Sequence, residues 1–491
     1  MMRATGSDAS KRLVAVPRSA LRVAAPVSVT LVALLTASCT LGPNYKRPAV
    51  EMPAAFRDDT SAASGRPDPD SLADVAWAEL FQDDTLTSLV TTALQQNFDL
   101  RMAAERVLQA RAVLGITRSD QYPTVNGSVI ANTARLSRTG AGGDIPDDAS
   151  ADASFTRIGF GFGWELDVWG RLRRLTEASR AQYLATEEAR RGVVTTLVAD
   201  VTAAYLALRA FDAEIEIARR TRDVGAEGLR LTTARRDRGL VSGLDVRQAE
   251  QLLYTATGQI AGIERSIAET EHALSLLLGR VPGDVPRGLG FDAFVVPPTV
   301  PAGLPSSLLE RRPDIRQAEQ ELVAANAQIG VAKADYFPRI SLTGFFGTES
   351  SALSDLLSAP ARTWSAGVTA AAPIFNAGRT RNNVRLAEAV QREAVVNYQR
   401  VIYVALREVA DALAAYRKTA EQRAEQARLV EALRQSAGLS KQRYQGGLDS
   451  YLQVLDAQRS LFQGELDLTR LRWEELTSVV QLYRALGGGW T

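Results

Sequence analysis

Apolar residues recur along this chain with two different periods, and the switches between them divide it into elements. From Arg171 to about Arg238 an apolar seam runs through Val194, Val198, Val201, Tyr205 and Leu208 in steps of 4, 3, 4 and 3, the spacing of helices packed side by side in a coiled coil. At 1.5 Å per residue the pattern predicts a helix of roughly 100 Å. Its outer positions carry Asp200, Arg209, Asp212, Glu214 and Arg219, a solvated or ion-paired face. Gly239 and Gly243 interrupt the pattern, and a return helix is expected from Asp245 to about Leu278. The same succession recurs downstream, with a long helix from about Arg379 to Arg443, a turn at Gly446 and Gly447, and a return helix from about Tyr451 to Leu486. A further helical stretch begins near Trp77 and runs to about Arg118, broken near Asn97.

Between these helices the period falls from 3.6 to 2, the signature of a strand with two unlike faces. Tyr122-Pro123 ends the preceding helix, because proline clashes with the turn before it and biases its predecessor away from helical angles. Val125, Gly127, Val129 and Ala131 then alternate with polar or small residues, and after a Gly/Asp-rich loop Phe160, Phe162, Trp164 and Leu166 do the same. Later, Ile340, Leu342, Gly344 and Phe346 pair in pattern with Val368, Ala370, Ala372 and Ile374. The expected strands are about 123–133, 155–168, 338–348 and 362–375.

The two halves are one unit made twice. Asp99 to Pro123 matches Asp314 to Pro338 at a constant offset of 215, and beyond the strands the offset settles at 208, where Val246, Ala249, Leu253 and Gly279 meet Val454, Ala457, Leu461 and Gly487. A repeat of this length argues for a single body with pseudo-symmetry rather than several unrelated domains. The chain accordingly divides into a signal (1–38), an arm (39–76) punctuated by Pro43, Pro48, Pro53, Pro67 and Pro69, a first repeat (77–288), a proline-marked connector (289–312) and a second repeat (313–491).

Charge and cysteine narrow the function classes. The formal charge is +1, but residues 1–38 hold five cations against Asp8, so the remainder carries net −3. No basic surplus is left to displace counterions from a nucleic acid. The segment 1–38 joins a basic start to an apolar stretch from Val23 to Leu35, about half of what a membrane-spanning helix needs, and reads as an export signal. Cys39, the only cysteine, follows Ala37 and Ser38. With no second thiol it has no disulfide partner, and its place predicts covalent lipidation. Thr36 stands where such signals usually carry leucine, with Leu35 one residue earlier. After Cys39 no run of about 18 apolar residues is evident, so no helical membrane span is expected.

Candidate chemistry is sparse. The sole histidine, His272, sits between Glu271 and Ala273 in the first return helix, and no phosphate loop or Gly-x-Ser-x-Gly turn occurs. A His/Cys metal site within one chain is not expected, nor is catalysis. The four strands are too few to close on themselves, and open edges are excluded from hydrocarbon. A membrane reading therefore requires other copies of the chain to complete the barrel.

Several motifs together resemble a known family. Cys39 to Pro48, Trp77 to Leu89, Asn97 to Arg101, Trp164 to Gly170, Arg311 to Arg316 and Tyr451 to Arg459 are similar, in order and spacing, to the outer membrane factor lipoproteins, the TolC-like efflux family, in its OprM/NodT-like branch. The resemblance implies a mainly α fold with a small membrane β part. In it, two tandem repeats of long coiled-coil-like helices plus a β-hairpin form a trimeric 12-stranded β-barrel continued by a periplasmic α-barrel. It implies an outer-membrane location, a lipid on Cys39 and no other cofactor. The implied partners are a periplasmic adaptor and an inner-membrane pump of the resistance-nodulation-division class, for which the chain is a passive exit duct for small molecules such as drugs. It assigns the glycine-marked tips at Gly239, Gly243, Gly446 and Gly447 to adaptor docking. Leu452 and Asp456 become the apolar and acidic rings of the periplasmic aperture, while Arg443 and Tyr444 tie neighbouring helices there. Two alternatives stay open at this point: a type I duct for secreted polypeptide, which shares the architecture, and a periplasmic adaptor lipoprotein, which would carry one helical hairpin rather than two.

Overall fold

The structure, a computed structural model, describes residues 40–56, 71–75, 77–137, 150–295 and 302–489. Cys39 and the signal segment lie outside the described residues. The helices are α1 (Trp77–Phe81), α2 (Asp84–Gln96), α3 (Phe98–Ser119), α4 (Arg171–Asp237), α5 (Gly243–Leu277), α6 (Leu308–Arg311), α7 (Pro313–Ala334), α8 (Arg379–Gln445) and α9 (Tyr451–Ala485). The strands are β1 (Thr124–Arg135), β2 (Asp152–Leu166), β3 (Arg339–Ser350) and β4 (Arg362–Ala371). The internal repeat appears as equal lengths: α4 and α8 each have 67 residues, and α5 and α9 each have 35.

Two strands end earlier than the alternation suggests. β2 stops at Leu166 because the Asp167 carboxylate turns to accept the backbone N–H groups of Leu172 and Arg173, each at 2.9 Å, and so caps α4. β4 stops at Ala371, not near 375, because Pro373 has no N–H for a ladder. Ile374 and Phe375 beyond it lie fully in the open, at 102% and 89% exposure.

The chain divides into two compact units, and neither is one repeat. The first unit takes Met1–Tyr45, Gly115–Ala178 and Asn326–Ala389, segments of both repeats. Its sheet has the order β1-β2-β3-β4, every pair antiparallel. The two expected hairpins are thus joined by β2–β3 pairing, whose register sets Phe160 against Phe346 and Trp164 against Leu342. Across all four strands one row reads Gly127, Phe160, Phe346, Trp364, and the next row on the opposite face reads Asn126, Gly161, Phe345, Ser365. The first face is open: Phe160, Phe346 and Trp364 are 63%, 66% and 74% exposed. On the other face Arg157 pairs with Glu349. β1 and β4 are the edges, each with one strand neighbour among the described residues.

In this unit the N-terminal arm is extended but tied down rather than free. Arg174 of α4, itself buried, donates to the Leu41 and Gly42 carbonyls at 3.1 and 3.3 Å and to Asn44 Oδ1 at 2.7 Å. Asn326 of α7 donates to the Pro43 carbonyl at 2.9 Å. A proline-punctuated segment has unpaired backbone carbonyls, and these donors satisfy them.

The second unit takes Lys46–Leu114, Ser179–Ala325 and Val390–Thr491. The seam residues Val198, Val201, Tyr205 and Leu208 are buried in it, as are their repeat counterparts Val409 and Leu413. Lower along the helices, Ile215 and Ala218 of α4, Ile263 of α5, and Phe462 and Leu466 of α9 form one apolar cluster. Asp83 caps α2 through the N–H groups of Thr85 and Leu86 and accepts from Tyr205 Oη and Leu289 N, both at 3.0 Å. Burial pushes the Tyr205 hydroxyl up to about 12. One window of α4 has the hydropathy of a membrane-spanning helix, against the expectation that none exists; 56% of it is buried in the chain, because the same apolar residues form the seam.

Candidate functional site at the hairpin tips

The sequence points to the glycine-marked turns between α4 and α5 and between α8 and α9, both in the second unit. The two turns are built alike. Gly239 and Gly447 have φ of +72° and +76°, the left-handed conformation that closes a helix and that glycine adopts without steric cost. Leu240 N donates to the Arg235 carbonyl and Leu448 N to the Arg443 carbonyl, each at 2.9 Å, and Gly239 and Gly447 close the inner bond to the Arg236 and Tyr444 carbonyls. Every member of the second turn stands 208 residues after its partner in the first, so the sequence offset is also a structural one. Gly243 is the first residue of α5, and Gly446 precedes the closing glycine.

The locks on the two turns differ. At the first, Ser242 and Asp245 form a reciprocal capping box: Ser242 N donates to Asp245 Oδ2 at 2.9 Å, and Asp245 N donates to Ser242 Oγ at 3.4 Å. At the second, Ser450 makes no side-chain cap. There Arg443 bridges across the turn to Asp449, Nε to Oδ2 at 2.5 Å and Nη2 to Oδ1 at 3.1 Å. The hydrogen bond from Arg443 holds the Asp449 carboxyl below its usual range and raises the guanidinium. Arg443 therefore secures its own turn, and its side-chain bonds among the described residues stay within the second hairpin.

Within the chain, the first hairpin reaches the second through Arg235, the residue 208 positions earlier, which the family motifs do not include. Its guanidinium lies 4.6 Å from the centre of the Tyr444 ring and donates to the Tyr444 and Gln445 carbonyls at 3.2 and 3.3 Å. A cation over a ring face is attracted by its quadrupole, and the two carbonyls lie at the C-terminus of α8, where the dipole favours a cation; that of Tyr444 accepts from Gly447 N as well. The repeat offset carried the signal, since it places Arg235 over Arg443.

Tyr444 is buried beneath this contact and meets the Tyr451 ring edge-on, with ring centres 5.3 Å apart. Ala249 and Leu252 of α5 and Val454 and Leu455 of α9 complete the cluster. Burial pushes the Tyr451 hydroxyl up to about 12. Leu452 and Asp456, one helical turn apart on α9, are both exposed, Leu452 at 49%. They thus share a face turned away from the chain's own core. His272 is exposed on α5, and among the described residues no group of three or more His, Cys, Asp or Glu is placed to hold a metal ion. What the tips contain is a mechanical device: two turns, one cross-hairpin bracket and a presented apolar-acidic face.

Known proteins resemble the chain along most of its length. A family model described as outer membrane efflux protein matches residues 89–280 and 304–488. The solvent efflux pump outer membrane protein SrpC of Pseudomonas putida is 40% identical over 468 residues, covering 93% of this chain and 97% of that protein. The cation efflux system protein CusC of Escherichia coli is 37% identical over 460 residues, covering 94% and 97%. Among solved structures, the outer-membrane channel OprN superposes with a TM-score of 0.84 at 32% identity, over 92% of this chain and all of that one.

Proposed function

The chain belongs to the outer membrane efflux protein family and is an outer-membrane component of an efflux pump, and on that premise we propose that it is the passive exit duct of a tripartite assembly. The observation that carries the proposal is the open sheet. Four antiparallel strands present an exposed aromatic row on one face and leave β1 and β4 as edges. Each unpaired backbone group in hydrocarbon costs several kcal/mol, so the edges must be paired by other copies. Three copies close a barrel of about twelve strands, an even number of the kind outer-membrane barrels use. The helices of both repeats continue it as a periplasmic α-barrel.

The family is one of transport proteins, and the duct supplies no energy of its own. An inner-membrane pump of the resistance-nodulation-division class drives export through a periplasmic adaptor that docks at the tips around Gly239, Gly243, Gly446 and Gly447. Leu452 and Asp456 ring the aperture, with Arg443 and Tyr444 behind them. Cys39 carries the lipid, one residue before the docked arm. The named cargoes of SrpC and CusC are solvents and cations, and small organic molecules or metal ions are the cargo proposed here. Deleting the gene is expected to sensitise the cell to a panel of solvents, drugs and metal ions, with rescue by the intact gene. Unchanged susceptibility together with loss of a secreted polypeptide would replace this reading with the type I duct. The purified chain in lipid nanodiscs should weigh three copies; a stable monomer would remove the barrel.

A further inference from the structure

A cavity of about 710 Å³ lies within the second unit, between α4 on one side and the end of α8 and the start of α9 on the other. Its apolar wall is Leu231, Leu252 and Val454, with Val224 at the mouth, and its floor includes the rings of Tyr444 and Tyr451. Tyr451 fits there because residue 228 is glycine: a Cβ at Gly228 would stand 2.5 Å from the Tyr451 hydroxyl oxygen. The Tyr444 side chain is 96% buried by residue, at 4% exposure, and its hydroxyl has no hydrogen-bond partner among the described residues. A buried hydroxyl without a partner is costly, and a ligand that displaces the packing over Tyr444 would supply one.

The rim adds a sign. Its carboxylates, Glu216, Asp223 and Glu227, are engaged by Arg219, Arg222 and Arg230. Lys441, also on the rim, forms no ion pair within 4 Å among the described residues and acts on Glu227 only at longer range. A pocket with an aromatic floor, aliphatic walls, one buried and unpartnered hydroxyl and one unengaged ammonium matches a specific chemistry. We propose that this cavity binds an amphiphilic aromatic anion, with its ring system between Leu252 and Val454, a polar atom at the Tyr444 hydroxyl and its acidic group at Lys441.

Such a molecule touches the first hairpin through α4 and α5 and the second through α8 and α9, beside the bracket made by Arg235. Occupancy holds the two hairpins in this arrangement. That consequence for conductance rests on the duct reading; the binding does not, and it is tested separately.

The probe is benzophenone-4-carboxylate, photolysed with the full chain in lipid nanodiscs, with adducts mapped by mass spectrometry. Saturable labelling is expected at Val224, Leu231, Leu252 or Val454. Tyr444→Phe keeps the ring and its packing and is expected to raise the half-labelling concentration about fivefold with an unchanged melting temperature. Lys441→Glu, at an exposed position, is expected to raise it tenfold or more, and uncharged benzophenone is expected to label the site no better than that variant. Labelling that does not saturate, that falls on the sheet face at Phe160 or Trp364 instead, or that is unchanged in both variants would overturn the proposal. So would equal labelling by the uncharged ketone. Absence of labelling in the wild-type chain, while it still forms trimers and still rescues efflux, would reject the site and leave the duct standing.

Discussion

The two hairpin tips have the same backbone and different fastenings. Arg235 and Arg443 occupy equivalent positions, each supplying the carbonyl that closes its turn. Yet Arg235 reaches across to the other hairpin while Arg443 folds back to Asp449. The cause is one residue. The position equivalent to Asp449 in the first repeat is Val241, which offers no carboxylate, so Arg235 is left to find carbonyl acceptors on α8. Duplication set the scaffold, and divergence at a single loop position decided which arginine is a bracket and which is a clasp.

The sharpest way to break this comparison is to remove the bracket. Arg235→Ala gives up two hydrogen bonds to carbonyls and a ring contact, together about 2 kcal/mol, all of it between hairpins. Single-channel conductance in planar bilayers should rise, and hydrogen exchange should accelerate around Tyr444 and Gln445. Arg443→Ala should produce the smaller change of the two in both measurements. The reverse order would mean that the second arginine is the tie after all.

Next in size are the closing glycines. Gly239→Val and Gly447→Val each force a β-branched residue into positive φ, at about 1–2 kcal/mol. Because the turns superimpose by sequence offset, the two variants should lower the melting temperature by the same amount within error. Unequal losses would show that the fastenings, not the backbone, set turn stability. The capping box offers a smaller and one-sided test. Ser242→Ala should cost about 1 kcal/mol, whereas Ser450→Ala, which removes no side-chain cap, should leave the melting temperature unchanged.

Much of this was legible in the sequence, and the limits have physical causes. The long helices and both tips follow from period and punctuation, because a heptad seam and a positive-φ glycine are local signals. The alternation at Phe160 and Phe346 gave the strands and the apolar face, but not the β2–β3 pairing, which joins residues 186 positions apart by backbone hydrogen bonds that no side-chain pattern encodes. The end of β4 was readable at Pro373 and was overrun because Ile374 continued the apolar alternation. The docked arm was hidden for a related reason: Arg174 looks like one more charged helix position until Asn44 and two arm carbonyls meet it. At the site, the family motif drew attention to Arg443 and Tyr444, and only the repeat offset leads to Arg235.

The smallest effect is also the most specific to the second tip. Arg443 lowers the Asp449 carboxyl below its ordinary range, so the bridge contributes fully above the usual aspartate range and is lost as pH falls through the lowered value. Both partners are exposed, so water and salt screen the contribution and global stability should not register it. Local opening should. Comparing wild type with Asp449→Asn at each pH cancels intrinsic exchange rates. Hydrogen exchange at residues 446–450 should be slower in the wild type at neutral pH, and the difference should vanish once Asp449 is protonated. The first tip should show no difference between the two proteins at any pH, since its turn contains no counterpart of Asp449. A difference that persists into acid would mean that asparagine alters the turn through its backbone preference rather than through the missing charge.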